Sequence, residues 1–314
     1  MSTIGVDVGG TKVSVAVLED GELSEPSVEP TEKATADTLV DQLARRIEEL
    51  RGPGTEAVGL GIPAAVEFST GTAKSGVNVP LAGVPLRHVL TERLGLPVFV
   101  DNDANVAILA EHRFGAARGT RNAVMLTIGT GIGGGLIIDG QLYRGSTGAG
   151  AELGHTVIEA DGPPCQGNCP NRGCVEALAS GTAIAREGLA AAEGAPDSAL
   201  GRAVADGVEL DGKEVTDAAL AGDETARGVL DLIGRRLGVA FSSLANIFDP
   251  DVIVIGGGAS RAGELLAGPA REELASRALP PMNGTPVATA ELGSDAGLIG
   301  AATMALVELD GGTH

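Results

Sequence analysis

Apolar residues alternate at Ile4, Val6 and Val8, the segment Gly9-Gly10-Thr11 interrupts them, and alternation resumes at Val13, Val15 and Val17. A period of two broken by glycines predicts a hairpin at the start of the chain. The period then changes. Leu39, Leu43, Ile47 and Leu50 recur every three or four residues, which predicts a helix over 38–50, and Val58 to Ile62 returns to strand. Val98 to Val100 reads as a short strand running into Asp101-Asn102-Asp103-Ala104-Asn105, with a helix over 106–114 behind it.

The opening pattern recurs further along. Val124 to Ile128 is a strand, Gly129-Thr130-Gly131 a turn, and Leu136 to Ile138 a strand again. Ala226, Leu230, Ile233, Leu237 and Ala240 predict a long amphipathic helix that Asp249-Pro250 stops. Val252 to Ile255 then feeds a third glycine turn, Gly256-Gly257-Gly258. Ala296 to Leu309 closes the chain as a helix, and the tail 310–314 is expected to fray. Two similar strand–turn–strand openings among helices predict an α/β protein with two related halves. The boundary is expected near residue 118, with a small lobe over 1–118 and a large lobe over 119–295.

Composition narrows the function. The 314 residues give room for two cores, and no run reaches the ~18 apolar residues of a membrane-spanning helix. The start, Met1-Ser-Thr-Ile-Gly5, has no basic, cleavable leader, so a cytoplasmic protein without a membrane partner is expected. Acidic side chains outnumber basic ones 42 to 22, and the formal charge of -20 repels a phosphate backbone. Aromatics make up 2% of the chain and Trp is absent, which leaves little for base stacking. Nucleic acid is thereby excluded as a partner. The same field opposes small anionic substrates unless backbone N–H groups or a metal offset it locally.

Gly129-Thr-Gly131-Ile-Gly-Gly134 matches G-x-G-x-x-G, yet Gly135-Leu-Ile-Ile-Asp139 continues as strand where a dinucleotide fingerprint needs a helix. No P-loop motif is present either. What remains is a glycine turn inside a hairpin, whose N–H groups can cradle phosphate oxygens. Asp7-Val8-Gly9-Gly10-Thr11-Lys12 adds a carboxylate able to hold Mg²⁺, a hydroxyl and an amine. A single such turn is equally well an ordinary hairpin loop. Three of them point to a nucleotide held between two lobes, with Asp7, Gly9, Gly10, Thr11, Lys12, Thr130, Gly131 and Gly257 as candidate contacts.

Where the strand over 98–100 meets the next helix, Asp101 and Asn102 are read as helix caps. Four acid or amide residues in five positions exceed what one cap uses, and strand ends of α/β proteins commonly bind ligands. Asp103 is the candidate general base toward an alcohol. All three cysteines lie between Cys165 and Cys174, and His155 stands ten positions upstream of the first. His155, Cys165, Cys169 and Cys174 form the Cys₃His set of structural Zn²⁺, a closed site that would fix the loop and its neighbours Glu152 and Glu176.

Taken together, Asp7 to Lys12, Asp101 to Asn105, Gly129 to Gly134, Glu152-Leu-Gly-His155, Cys169-Pro-Asn-Arg-Gly-Cys174-Val-Glu176 and Gly256 to Gly258 resemble the ROK family of bacterial sugar kinases and repressors. The resemblance spans nearly the whole chain. It implies an actin-like, ribonuclease-H-like duplicated two-lobe fold of the α/β class, with the C-terminal helix over 296–309 packing back on the first lobe. It also implies ATP-dependent phosphorylation of a hexose 6-hydroxyl, with a homodimer or homotetramer as the assembly. Matched position by position, Asp103 is the base, and Asn78, Asn102, Asp103, Glu152, His155 and Glu176 hold the sugar hydroxyls.

Glucose is favoured because the region from Glu152 to Glu176 looks most like bacterial glucokinases; an N-acetylmannosamine or other hexosamine kinase is the alternative. A sugar-sensing regulator of the same family would carry a helix-turn-helix ahead of the first glycine motif, which here begins at Asp7. Family cysteines usually run C-x-C-x₄-C, whereas here three residues separate Cys165 from Cys169.

Overall fold

The computed structural model describes residues 1–75 and 78–311, so the expected fraying beyond 311 lies outside the described residues. The chain forms β1 (Ser2–Val8), β2 (Lys12–Glu19), β3 (Glu22–Leu23), β4 (Ser27–Pro30), α1 (Ala36–Leu50), β5 (Thr55–Ile62), β6 (Val66–Glu67), β7 (Thr72–Ala73), α2 (Leu86–Leu94), β8 (Val98–Asn102) and α3 (Asp103–Phe114). Next come β9 (Ala123–Ile128), β10 (Ile132–Ile138), β11 (Gln141–Leu142), α4 (Val175–Ala179), α5 (Gly181–Gly194), α6 (Ala199–Ala205) and α7 (Gly212–Leu220). The last elements are α8 (Glu224–Phe248), β12 (Val252–Gly256), α9 (Glu264–Arg277), β13 (Val287–Thr289) and α10 (Ala296–Leu309). They group into two compact units, one of residues 1–119, 135–151 and 294–314, the other of 120–134 and 152–293.

In the first unit the expected hairpin is β1 against β2, antiparallel from Ser2↔Glu19 to Val8↔Val13. Strand β5 joins β1 in parallel and β8 joins β5, giving the order β3-β2-β1-β5-β8 with β4 beside β2. Ile4, Val6, Leu60 and Val100 are fully enclosed against Leu39, Leu43 and Ile47 of α1, so the periods of two and of 3.6 meet in one core. Helix α1 starts at Ala36, two residues ahead of the expected 38, because Thr35 and Thr38 form a reciprocal capping box. Helix α10 packs on β1, β5 and α3. A Cβ on Gly59 would fall on the carbonyl oxygen of Ala301, so the sheet meets this helix backbone to backbone.

The second sheet has the order β11-β10-β9-β12-β13, the same arrangement by position as the first, which is the duplication expected from the two openings. Strands β9, β12 and β13 run parallel. The strand after Gly129-Thr130-Gly131 begins already at Ile132, so the G-x-G-x-x-G match does lie in a hairpin. Helix α8 opens on an Asp223 cap and stops at Asp249, which takes a left-handed φ of 43° ahead of Pro250. No described helix is long and apolar enough to cross a membrane.

Candidate active site

The turn joining β1 to β2 is closed by Gly9 N–H donating to the Lys12 carbonyl at 2.9 Å, and the Thr31 hydroxyl donates to the Gly9 carbonyl at 2.7 Å. Gly10 lies against the Asn78 side chain, with room for a Cβ only 3.3 Å from the Asn78 Cβ. Thr11 and Lys12 are exposed. Burial pushes the Asp7 carboxyl above its usual range, and the Lys12 ammonium offsets part of that. The Asp7 carboxylate accepts no hydrogen bond from any described residue, and Gly297 at the start of α10 has no side chain to cover it. Its oxygens are of the kind that could hold a hard cation.

At the end of β8 the polar cluster divides its labour. Asn102 is the cap: its Oδ1 accepts from Ala104 N at 2.9 Å and from Asn105 N at 3.2 Å. Asp101, expected to cap, does not. It is 1% exposed, and its Oδ1 accepts from Asn102 N at 2.7 Å and from Asn105 Nδ2 at 2.8 Å, while Oδ2 pairs with Arg144 Nε at 2.6 Å. Asp103 is the first residue of α3 and half-buried, with Oδ1 accepting from Ala104 N at 2.8 Å.

In the second unit the β9–β10 turn is closed by Gly129 N–H donating to the Gly131 carbonyl at 2.9 Å. Gly181 N–H donates to the Gly129 carbonyl at 2.7 Å, and the Thr182 hydroxyl donates to the Thr130 carbonyl at 2.9 Å, so the start of α5 holds the turn from behind. Gly257, with φ of 75°, brings the third glycine turn against Ile128, where a Cβ would lie 2.6 Å from the carbonyl oxygen. Beside both turns opens a cavity of about 400 Å³, a size typical of small-molecule sites. Its walls include Thr130, Gly181 and Ala259, and its rim carries Lys213 and Arg261, both paired with Asp217 at 2.9 and 2.8 Å. None of the wall from 181 to 216 was expected from periodicity. The available signal was capping: Asp211 and Glu214 form a capping box at the start of α7, and Ser180 caps α5.

The four expected metal ligands come together. Ligand atoms of His155, Cys165, Cys169 and Cys174 all lie within 4.8 Å of one another, including Cys165 despite its altered spacing. Burial, and then the neighbouring Cys174 and Cys169 thiols, push the Cys165 thiol far above its ordinary range; burial also raises that of Cys174. Three crowded thiols and an imidazole are the donor set that Zn²⁺ takes as thiolates and neutral histidine. Glu176 sits between this cluster and the glycine turn: Oε2 accepts from Ile132 N at 2.8 Å, and Oε1 lies 3.7 Å from Cys165 Sγ. Glu152 is exposed just ahead of the short helical turn Leu153–His155.

The pattern defining the ROK family matches residues 3–308. The chain belongs to the ROK family. It is 41% identical to the glucokinase of Thermotoga maritima over 316 aligned positions, covering 97% of each chain. A crystal structure of a ROK family glucokinase from Streptomyces griseus, in complex with glucose and AMPPNP, superposes with a TM-score of 0.86 at 36% identity, covering 98% of this chain and 99% of that one. The ROK hexokinase of Thermus thermophilus gives 0.78 at 35% identity, covering 99% of both chains. The fold of this ROK chain is the actin-like sugar kinase fold of those neighbours.

Proposed function

We propose that this chain is an ATP-dependent glucokinase, transferring the γ-phosphoryl group of ATP to the 6-hydroxyl of glucose. The observation that carries the reading is the match along 98% of the chain to a glucokinase solved with glucose and an ATP analogue. Local chemistry agrees. Asp103 is presented on a doubly capped helix start and accepts the proton of the 6-hydroxyl as its oxygen bonds to the γ-phosphorus and ADP departs. Asn78, Asn102, Glu152, His155 and Glu176 recognise the remaining hydroxyls through directional donors and acceptors.

The nucleoside of ATP occupies the cavity beside the β9–β10 turn, whose lining includes Thr130, and Thr130, Gly131 and Gly257 face its phosphates. Gly9, Gly10, Thr11 and Lys12 provide N–H, hydroxyl and ammonium donors for phosphate oxygens in a chain whose overall charge of -20 would otherwise repel them. Asp7 would hold Mg²⁺, which when bound neutralises phosphate charge. His155, Cys165, Cys169 and Cys174 would hold Zn²⁺ as a closed structural site. The enzyme works in the cytoplasm as a homodimer or homotetramer.

The test is an ADP-release assay across glucose, mannose, fructose, glucosamine, N-acetylglucosamine and N-acetylmannosamine. Glucose should give the highest kcat/KM, and Asp103→Asn should lower kcat by about 10²- to 10⁴-fold while sugar and nucleotide still bind. Higher kcat/KM with an N-acetylated hexosamine would reassign the substrate, and near-normal kcat in Asp103→Asn would remove the base.

A further inference from the structure

Arg144 and Asp101 form an ion pair that neither the cavity nor the turns require. Asp101 is 1% exposed, so its carboxylate is stable only with partners, and every partner the structure gives it lies at the start of α3 or on Arg144. Oδ1 holds Asn102 N and Asn105 Nδ2, the residues immediately before and two after Asp103. The Oδ1 of Asn105 is buried without a partner among the described residues, so of these Asp101 orients that side chain.

Arg144 is fixed in turn. Its guanidinium lies 3.5 Å over the Phe68 ring and 3.4 Å from Glu308 of α10. Its carbonyl accepts Gly150 N at 2.9 Å, closing the loop that follows β11. A stacked, planar guanidinium offers one orientation to a carboxylate, which a lysine ammonium does not.

A buried ion pair seldom adds stability over an apolar pair of equal volume, so stability alone does not explain this one. Resting on the reading of Asp103 as the base, we infer that Arg144, acting through Asp101, is a positioning residue that holds the first turn of α3 so that the Asp103 carboxylate meets the sugar hydroxyl in productive geometry. Arg144 touches no reacting atom in this role. Its effect belongs to kcat and not to binding.

The test compares wild type with Arg144→Met and Arg144→Lys in glucose phosphorylation kinetics, thermal melting, and amide hydrogen exchange over residues 102–106. Arg144→Met should lower kcat by about 100-fold, the scale of a displaced reacting group, with KM for glucose and ATP changed less than about threefold. Exchange at 103–106 should quicken while β1 and β2 stay protected. Arg144→Lys keeps the charge and loses the fork, and should recover part of the loss. If Arg144→Met does not fold, a fall of at least about tenfold in kcat for Arg144→Lys at unchanged Tm supports the same role. A lower Tm with kcat within about threefold of wild type and unaltered exchange would overturn it, leaving a purely stabilising pair. Should wild type phosphorylate no hexose, the glucokinase reading falls, and the exchange data still decide whether Arg144 holds the start of α3.

Discussion

The two glycine turns that look alike in sequence, Gly9-Gly10-Thr11 and Gly129-Thr130-Gly131, are closed by one main-chain hydrogen bond of 2.9 Å each and differ in what stands behind them. Behind the first, Thr31 holds the Gly9 and Thr11 carbonyls, and Asp7 is a carboxylate without a hydrogen-bond donor among the described residues, beside the start of α10. Behind the second no such unpaired carboxylate stands among the described residues: Gly181 N, the Thr182 hydroxyl and the Glu176 carboxylate each hold a main-chain group of residues 129–132. Sequence pattern makes a turn with free N–H groups, and packing decides its use. On the proposed reading the first, with Asp7 and Lys12, serves a metal and phosphates. On the same reading the second, which lines a cavity, serves a nucleoside.

The largest effect that sharpens this contrast is expected at Asp7. Asp7→Asn should lower kcat by about 10²- to 10³-fold, as removal of an electrostatic group from a phosphoryl-transfer site does. It should also raise Tm at pH 7, measured without magnesium or nucleotide. Folding raises this carboxyl above its ordinary 3.8, so the native state binds the proton more tightly than the unfolded chain. The stabilisation is fully present below about 3.8 and is lost as pH climbs through the raised value, so at pH 7 wild type carries the cost of a buried charge that Asn lacks. The Tm gap should therefore close in acid. A variant that loses stability at pH 7 would mean that Asp7 has partners and that the two turns do not differ in this way.

The second turn should respond to its bracing. Cys174→Ala, or zinc chelation, should lower stability by about 3 kcal/mol, roughly 5–10 °C in Tm, with loss of about one zinc per chain in metal analysis. Through Glu176 it should raise KM for ATP more than KM for magnesium. Gly181→Ala places a Cβ 2.6 Å from the Gly129 carbonyl oxygen, a contact that only a shift of the turn can relieve. Overpacking of that kind costs about 1–3 kcal/mol, and KM for ATP should rise about tenfold with kcat little changed. Equal losses in kcat and kcat/KM would instead place the second turn on the transferring phosphoryl group.

Helix α8 was legible because it buries one face, which writes a period into the chain, whereas β1, β2 and α10, enclosed on more than one face, were legible as alternating or nearly continuous apolar runs. Helices α5, α6 and α7 were not. In Gly188-Leu-Ala-Ala-Ala the small Gly188 and Ala192 are buried while Leu189 is exposed, so the apolar residues do not mark the buried face, although Ser180, Ser198 and Asp211 mark the helix starts as caps. Asp101-Asn102-Asp103 was visible as a polar cluster, but which member caps was not, since that depends on Arg144 lying 43 positions away. The cysteine cluster was readable from segregation alone. Its link through Glu176 to Ile132 spans 44 positions and has no local signature.

The smallest effect concerns the rim of the cavity. Lys213 and Arg261 flank it as cations, yet both are held by Asp217, whose charge cancels one of theirs. The Lys213 ammonium is raised chiefly by its hydrogen bond to Asp217, so it stays charged at any working pH, and the pair is open to solvent and salt. If the second turn works as a rigid wall for a nucleoside, Lys213→Ala should raise KM for ATP only about two- to fivefold, and the difference should fade as ionic strength rises from 0.05 to about 0.5 M. An effect as large as that of Gly181→Ala, persisting in high salt, would mean that charge on the rim and not the shape of the turn holds the nucleotide. The two turns would then work by the same electrostatics, and the distinction between them would reduce to the presence of Asp7 behind the first.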